Sequence, residues 1–147
     1  MILSKYLIGA AFLAPITHTA LAQTSPAPLV VDTPMVHDPV MAFEDGKYYL
    51  YCTGHGITQM TSTDRRHWTV KSDGVLPVGN IPAWTRDSVP GFDTHIWAPD
   101  VIKYGDKWYL TYSCSTFGKN TSAIGLLSNT SLANADGWKD EGCVVAS

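Results

Sequence analysis

The residue types suited to chemistry stand at two strand beginnings. Asp38 lies in His37-Asp38-Pro39, just ahead of the apolar run Val40 to Phe43, and Asp100 lies in Trp97-Ala98-Pro99-Asp100, just ahead of Val101. A carboxylate can take a proton from water or give one to a departing oxygen, and two aimed at one point suit hydrolysis of a glycosidic bond. Asp beside Pro is also an ordinary way to open a strand through a capped turn. The spacing leaves both meanings open.

The elements that must position these residues form a repeat. The stretch "MVHDPVMAFEDGKYYLYCTG", Met35 to Gly54, returns as "WAPDVIKYGDKWYLTYSCS", Trp97 to Ser115. Lys47 and Lys107 are 60 residues apart and Val40 and Val101 are 61 apart, which predicts one extra loop residue in the first copy, Glu44-Asp45-Gly46 against Gly105-Asp106. Each copy reads as four short strands rich in aromatic and β-branched residues. The first has Val40 to Phe43, Lys47 to Thr53, Ile57 to Ser62 and Trp68 to Lys71; the second has Asp100 to Tyr104, Lys107 to Ser113, Ala123 to Ser128 and a segment from Trp138 onward. Ser62 then corresponds to Ser128, and Trp68 to Trp138. No segment shows a sustained helical apolar period.

Four-stranded units repeated in this way are the pattern of propeller blades, whose innermost strands line a central channel. The expected class is all-β, with about two blades, residues 37–72 and 97–147. In that frame Asp38 and Asp100 occupy the same position at the channel mouth. Two blades cannot close a propeller, and the chain ends where the second unit's last strand is expected. These features predict a C-terminally truncated fragment of a protein roughly two to three times as long. Between the blades, Asp73 to His95 is long and rich in Pro and Gly, with Trp84 and Phe92 placed either to fold the loop on itself or to touch a ligand.

Residues 1–22 carry Lys5, the run "YLIGAAFLAPI" and Ala20-Leu21-Ala22, the layout of a secretory signal peptide, which predicts a secreted or periplasmic chain. Residues 23–36 form a Pro-rich, extended lead-in. A net charge of -3 with no basic run argues against nucleic acid or an anionic membrane surface as partner, and no later apolar run is long enough to span a bilayer. Three cysteines, Cys52, Cys114 and Cys143, make an odd count, so either one thiol is free or a partner lies outside this chain, and the absence of CxxC spacing argues against a metal site through sulfur. Cys52 and Cys114 read as small buried hydrophobes.

The segments "VHDPVM", "HIWAPDV", "KWYLTYS" and above all "STFGKNTSAIGL" resemble, in this order, the arabinan endo-1,5-α-L-arabinanases of glycoside hydrolase family 43. The resemblance runs from about Met35 to Ser147. It implies a five-bladed β-propeller in the full-length protein and an inverting mechanism with an Asp base, a second Asp that tunes and orients, and a Glu acid. Asp38 matches the base, with His37 beside it as an orienting and substrate-side residue. Trp97 and Phe117 match aromatics that stack on arabinose, and Asn120 is placed to bond a sugar hydroxyl or to hold its own loop. The second Asp belongs to an Asn-Ala-Ile-Asp-Pro motif that does not occur in these residues, nor does the acid's motif. Asp100 is therefore not that second Asp, and reads as structural. His95 either lines the channel or packs beside it.

The family also implies a metal ion, usually calcium, near the channel axis, with its protein ligand outside this chain. The resulting expectation is a base and part of a sugar platform from a secreted, monomeric endo-arabinanase acting on the α-1,5-arabinan of pectin. The 147 residues alone are expected to be inactive and not stably folded. Two alternatives stand beside it: an exo-acting arabinofuranosidase or xylosidase of the same family, and a non-catalytic carbohydrate-binding remnant. Asn120-Thr121-Ser122 and Asn129-Thr130-Ser131 match the glycosylation acceptor pattern.

Overall fold

The computed structural model describes residues 27–147. The signal-peptide reading of residues 1–22 and the start of the lead-in lie outside the described residues. Ten strands form two five-stranded sheets. The first contains β1 (Leu29–Val31), β2 (Val40–Glu44), β3 (Lys47–Cys52), β5 (Thr58–Ser62) and β6 (Trp68–Lys71), in the order β1-β6-β5-β3-β2. The second contains β4 (Gly54–His55), β7 (His95–Tyr104), β8 (Lys107–Ser115), β9 (Ser122–Asn129) and β10 (Lys139–Ala146), in the order β10-β9-β8-β7-β4. All described pairings are antiparallel.

Each sheet is thus a four-stranded meander with one strand added. The lead-in supplies β1, which pairs along the outer strand β6. The first blade also lends β4 to the inner edge of the second. The last strand of the second blade lies where it was expected, from Trp138 onward: β10 pairs with β9 from Lys139↔Ser128 to Ala146↔Ala123.

Alternation decides which side chains meet. Along β3, Tyr49 and Tyr51 face the second blade, while Leu50 and Cys52 face the other side and pack with Met60 and Trp68. Trp108, Leu110, Tyr112 and Cys114 of β8 share one face and enter the inter-blade core. Burying each large apolar side chain contributes about 1.5–3 kcal/mol, so this interface carries most of the cohesion between the blades.

The long connection is part of that core. Val75, Leu76, Ile81, Val89 and Phe92 are buried in it, and its only α-helix is the short α1 (Trp84–Ser88). Gly56 and Gly74 let the connection approach: both have positive φ, and a Cβ on Gly56 would meet the Leu76 carbonyl oxygen at 2.0 Å. Trp84 stacks at a tilt on Tyr112 and donates its indole N–H to Asp140 at 3.2 Å. Trp84 and Phe92 therefore fold the connection onto blade 2.

Glu44 joins the blades. Its Oε1 accepts from the Trp108 indole at 2.6 Å, and its Oε2 accepts from Ser131 Oγ at 2.9 Å and from the Leu132 amide at 2.6 Å. Burial pushes this carboxyl up, but those hydrogen bonds and nearby Lys103 outweigh it and hold it below the usual glutamate range.

Cys52, Cys114 and Cys143 are all free thiols; the first two are buried. Burial, with Cys143 close by, pushes the Cys114 thiol up to about 12, so it is inert at neutral pH. Among the described residues no helix is long and apolar enough to cross a membrane.

Candidate active site

The pairing register changes the equivalence of the two units. Met41 lies opposite Leu50 and Val101 opposite Leu110, so Met41, not Val40, corresponds to Val101. Both hairpins close with two-residue loops, between Glu44↔Lys47 and Tyr104↔Lys107. The extra loop residue does not exist, and a constant offset of 60 relates the units from residue 37 through the second strand. Asp38 therefore corresponds to Ala98, and Asp100 to Val40. Val40 and Val101, alike in type, stand one register step apart, opposite Tyr51 and Leu110.

The corrected equivalence is visible in the backbone. Asp38 and Ala98 each precede a proline and each has positive φ, 48° and 44°. Such a conformation is costly for a residue with a Cβ and tends to persist where it serves a site. In blade 2 this kink coincides with the register shift between Trp97↔Ser113 and Asp100↔Thr111. In blade 1 the matching bond runs from the Thr53 amide to the His37 carbonyl at 3.0 Å. An irregularity of this kind re-aims side chains at the end of a strand.

At the first kink the Asp38 carboxylate is exposed and held by two groups. Its Oδ2 accepts from Thr53 Oγ1 at 2.9 Å and lies 2.8 Å from His37 Nδ1. Thr53 Oγ1 in turn accepts from the Ala98 amide at 2.9 Å. The carboxylate is thus two hydrogen bonds from the second kink, where Trp97 is the preceding residue.

Trp97 and Phe117 stack, with ring planes 20° apart and centroids 6.2 Å apart. His95 packs edge-on against Trp97 at 4.5 Å, and its ring lies 5.2 Å from that of His55. His95, Trp97 and Phe117 line a cleft of about 380 Å³ together with Gly91, Asp93, Ser115 and Thr116. Phe117 is 87% exposed, an aromatic face presented to solvent on a polar loop. Thr116 Oγ1 ties that loop to the Pro90 carbonyl at 2.8 Å. The aromatic pair offers a flat apolar platform, which suits the C–H face of a sugar ring with its hydroxyls left free; Asp93 is the carboxylate among the cleft-lining residues, and Asp38 is not one of them.

Other expected residues fall elsewhere. Asp100 Oδ1 accepts from the amide of its neighbour Val101 at 3.0 Å, a local strand-starting contact. Asn120 is exposed on the same loop as Phe117, its carbonyl accepts from Ser147 Oγ at 3.1 Å, and it is not among the cleft-lining residues. Asn129 is 4% exposed; its Nδ2 donates to the Asn134 carbonyl and its Oδ1 accepts from the Ser131 amide. That burial closes the second glycosylation motif in the folded chain. By pairing, Asn129, opposite Trp108, also replaces Ser128 as the counterpart of Ser62, opposite Tyr48.

Residue typing alone missed Thr53, Asp93 and the Ala98 amide. Thr53 had a signal, since the hairpin register carries it to the end of β3 beside the His37-Asp38 segment. Among the described residues no three His, Cys, Asp or Glu side chains come together to hold a metal ion.

The Glycosyl hydrolases family 43 model matches residues 30–147. The extracellular exo-α-(1→5)-L-arabinofuranosidase ArbA of Cellvibrio japonicus is 46% identical over 115 residues, covering 76% of this chain and 32% of that protein. The extracellular endo-α-(1→5)-L-arabinanase 1 of Bacillus subtilis is 39% identical over 144 residues, covering 95% of this chain and 43% of that protein. In three dimensions, an exo-1,5-α-L-arabinanase from a bovine ruminal metagenomic library superposes with a TM-score of 0.72 at 50% identity, over 79% of this chain and 38% of that one. The chain thus spans between 32% and 43% of the length of these curated relatives. Its two sheets are two blades of a five-bladed β-propeller. With the match running unbroken across both blades, the chain belongs to glycosyl hydrolase family 43.

Proposed function

We propose that the chain supplies the base and part of the sugar platform of a secreted, monomeric enzyme that hydrolyses α-1,5-linked arabinan with inversion. The carrying observation is the placement of Asp38. Its carboxylate is fixed at a strand-start kink and coupled through Thr53 to the backbone beside Trp97, which stacks with Phe117.

In this reading an arabinose unit lies against the aromatic pair, and a water sits between Asp38 and the anomeric carbon. As the water oxygen bonds to that carbon, its proton moves to the carboxylate. The glycosidic C–O bond breaks with its electron pair going to the leaving oxygen. A carboxylic acid from another part of the protein protonates that oxygen, because the family's acid motif does not occur in residues 1–147. General acid help is worth about 10²–10⁴ in rate, so the 147 residues alone are expected not to cleave arabinan. The family's calcium, in the same reading, is held by residues outside these two blades.

Internal cleavage is the favoured mode, on the Phe117-Gly118-Lys119-Asn120-Thr121-Ser122 run. The relatives include both exo- and endo-acting enzymes on the same linkage, so chain-end attack is the second mode.

The test assays the full-length protein on linear 1,5-α-L-arabinan and follows the anomer released. Initial release of the β-anomer, abolished by Asp38→Asn, is the expected result. Release of the α-anomer, or full turnover by Asp38→Asn, would sink the proposal. Early products longer than three units indicate endo action, and a single short product from the start indicates exo action.

A further inference from the structure

We propose that Thr53 is a positioning residue for the Asp38 base, and that it assigns the two carboxylate oxygens different tasks. The argument is one of hydrogen-bond direction. The Ala98 amide can only donate, so at 2.9 Å it takes up a lone pair of Thr53 Oγ1. The hydroxyl proton is then directed to the one acceptor within reach, Asp38 Oδ2, also at 2.9 Å. A freely rotating hydroxyl becomes an oriented donor.

Oδ2 also lies 2.8 Å from His37 Nδ1. With the Thr53 hydroxyl bonded to Oδ2 and the His37 ring beside it, that oxygen is poorly placed to accept a proton from water. Asp38 Oδ1 has no hydrogen-bond partner among the described residues and is the atom left for the nucleophilic water. The Thr53 bond and the His37 contact on Oδ2 also restrain rotation of the carboxylate, which is exposed and at the start of a strand.

The same hydroxyl measures the distance between base and platform. Ala98 directly follows Trp97, and its positive φ turns its N–H out of the β7–β8 ladder toward blade 1. Thr53 therefore bridges the two kinks of the repeat, one carrying the base and the other flanking the stacking ring. A change in the angle between blades is transmitted to Asp38 through one side chain.

This inference rests on Asp38 being the base, and the experiment separates the two claims. In the full-length protein, Thr53→Val keeps the branched shape and removes the hydroxyl, while Thr53→Ser keeps the hydroxyl. Turnover of linear arabinan and affinity for arabinotriose are measured for both, and high-resolution crystal structures report the Asp38 conformer. Expected for Thr53→Val is a ten- to hundredfold fall in kcat, with KM and arabinotriose affinity within twofold of the parent and the Asp38 carboxylate in more than one orientation. Thr53→Ser should return kcat to within threefold and restore a single orientation. An unchanged kcat in Thr53→Val, or Thr53→Ser falling as far as Thr53→Val, overturns the proposal. If Asp38→Asn turns over arabinan normally, the base assignment is what fails. The conformer comparison then still decides whether Thr53 fixes the carboxylate: an unmoved Asp38 in Thr53→Val rules it out.

Discussion

The two strand-start kinks have the same backbone and different uses. In blade 1 the kinked residue is Asp38, whose side chain is held outward by Thr53 and His37. In blade 2 it is Ala98, and the useful atom is its amide hydrogen, which reaches Thr53. Asp100, two residues further on, uses its carboxylate on its own strand. The repeat thus reproduced a geometry and let the chemistry at the two copies diverge. One kink presents an exposed carboxylate, and the amide of the other anchors the threonine that holds it. A similar divergence occurs at the opposite end of the same strands. Glu44 is a largely buried inter-blade joint, while its counterpart Tyr104 is 78% exposed.

The largest expected effect separates the two carboxylates. In the full-length protein, Asp38→Asn should lower arabinan turnover by about 10²- to 10⁴-fold, whereas Asp100→Asn should leave kcat within threefold of the parent. Equal losses at both positions, in a steady-state assay, would break the distinction.

Next comes the contrast at the far ends of the strands. Glu44→Gln should cost about 1.5–3 kcal/mol of stability at pH 7, the usual worth of hydrogen bonds to a charged group. Tyr104→Phe should be near neutral in the same thermal melts. Because the folded Glu44 carboxyl lies below its unfolded value, its contribution is complete above the unfolded pKa of about 4.3. It is lost as pH falls through the folded value. The gap between parent and Glu44→Gln should therefore narrow when the melts are repeated near pH 3, and a constant gap would exclude an ionised role.

A smaller effect tests the platform beside the second kink. Trp97→Ala should weaken arabinotriose binding roughly tenfold, about 1.4 kcal/mol, measured by calorimetry. Phe117→Ala should lose less, since that ring is 87% exposed on a polar loop.

The smallest concerns the kinks themselves. Ala98→Gly keeps the amide and relieves the positive φ, so it should raise the melting stability by no more than about 1 kcal/mol. A loss of stability there would mean that the Ala98 methyl, and not the amide alone, contributes to the fold.

Much of the fold was legible because it is local. Alternating aromatic and β-branched residues between tight turns mark strands wherever they occur, and β2, β3, β6 and β8 fall within a residue or two of their expected positions. The family motifs singled out Asp38, Trp97 and Phe117 by residue type alone. The short helix α1 carried no periodic pattern, because five residues, Trp84 to Ser88, are too few to show one. The equivalence of Asp38 with Asp100 failed because letters were matched where hydrogen-bonded partners set the register.

The sequence by itself determined that this is a repeated antiparallel β protein with arabinanase-like motifs, His37-Asp38-Pro39 among them, since alternation, turn residues and short motifs are properties of adjacent positions. Only the tertiary structure decided that Asp38 corresponds to Ala98 and not to Asp100, that Asn129 is buried, and that Glu44 and Thr53 each bridge the blades. Thr53 and Ala98 are 45 residues apart, and Glu44 and Leu132 are 88. Contacts at such separations depend on how one sheet packs against another, and no local pattern in the chain encodes that angle.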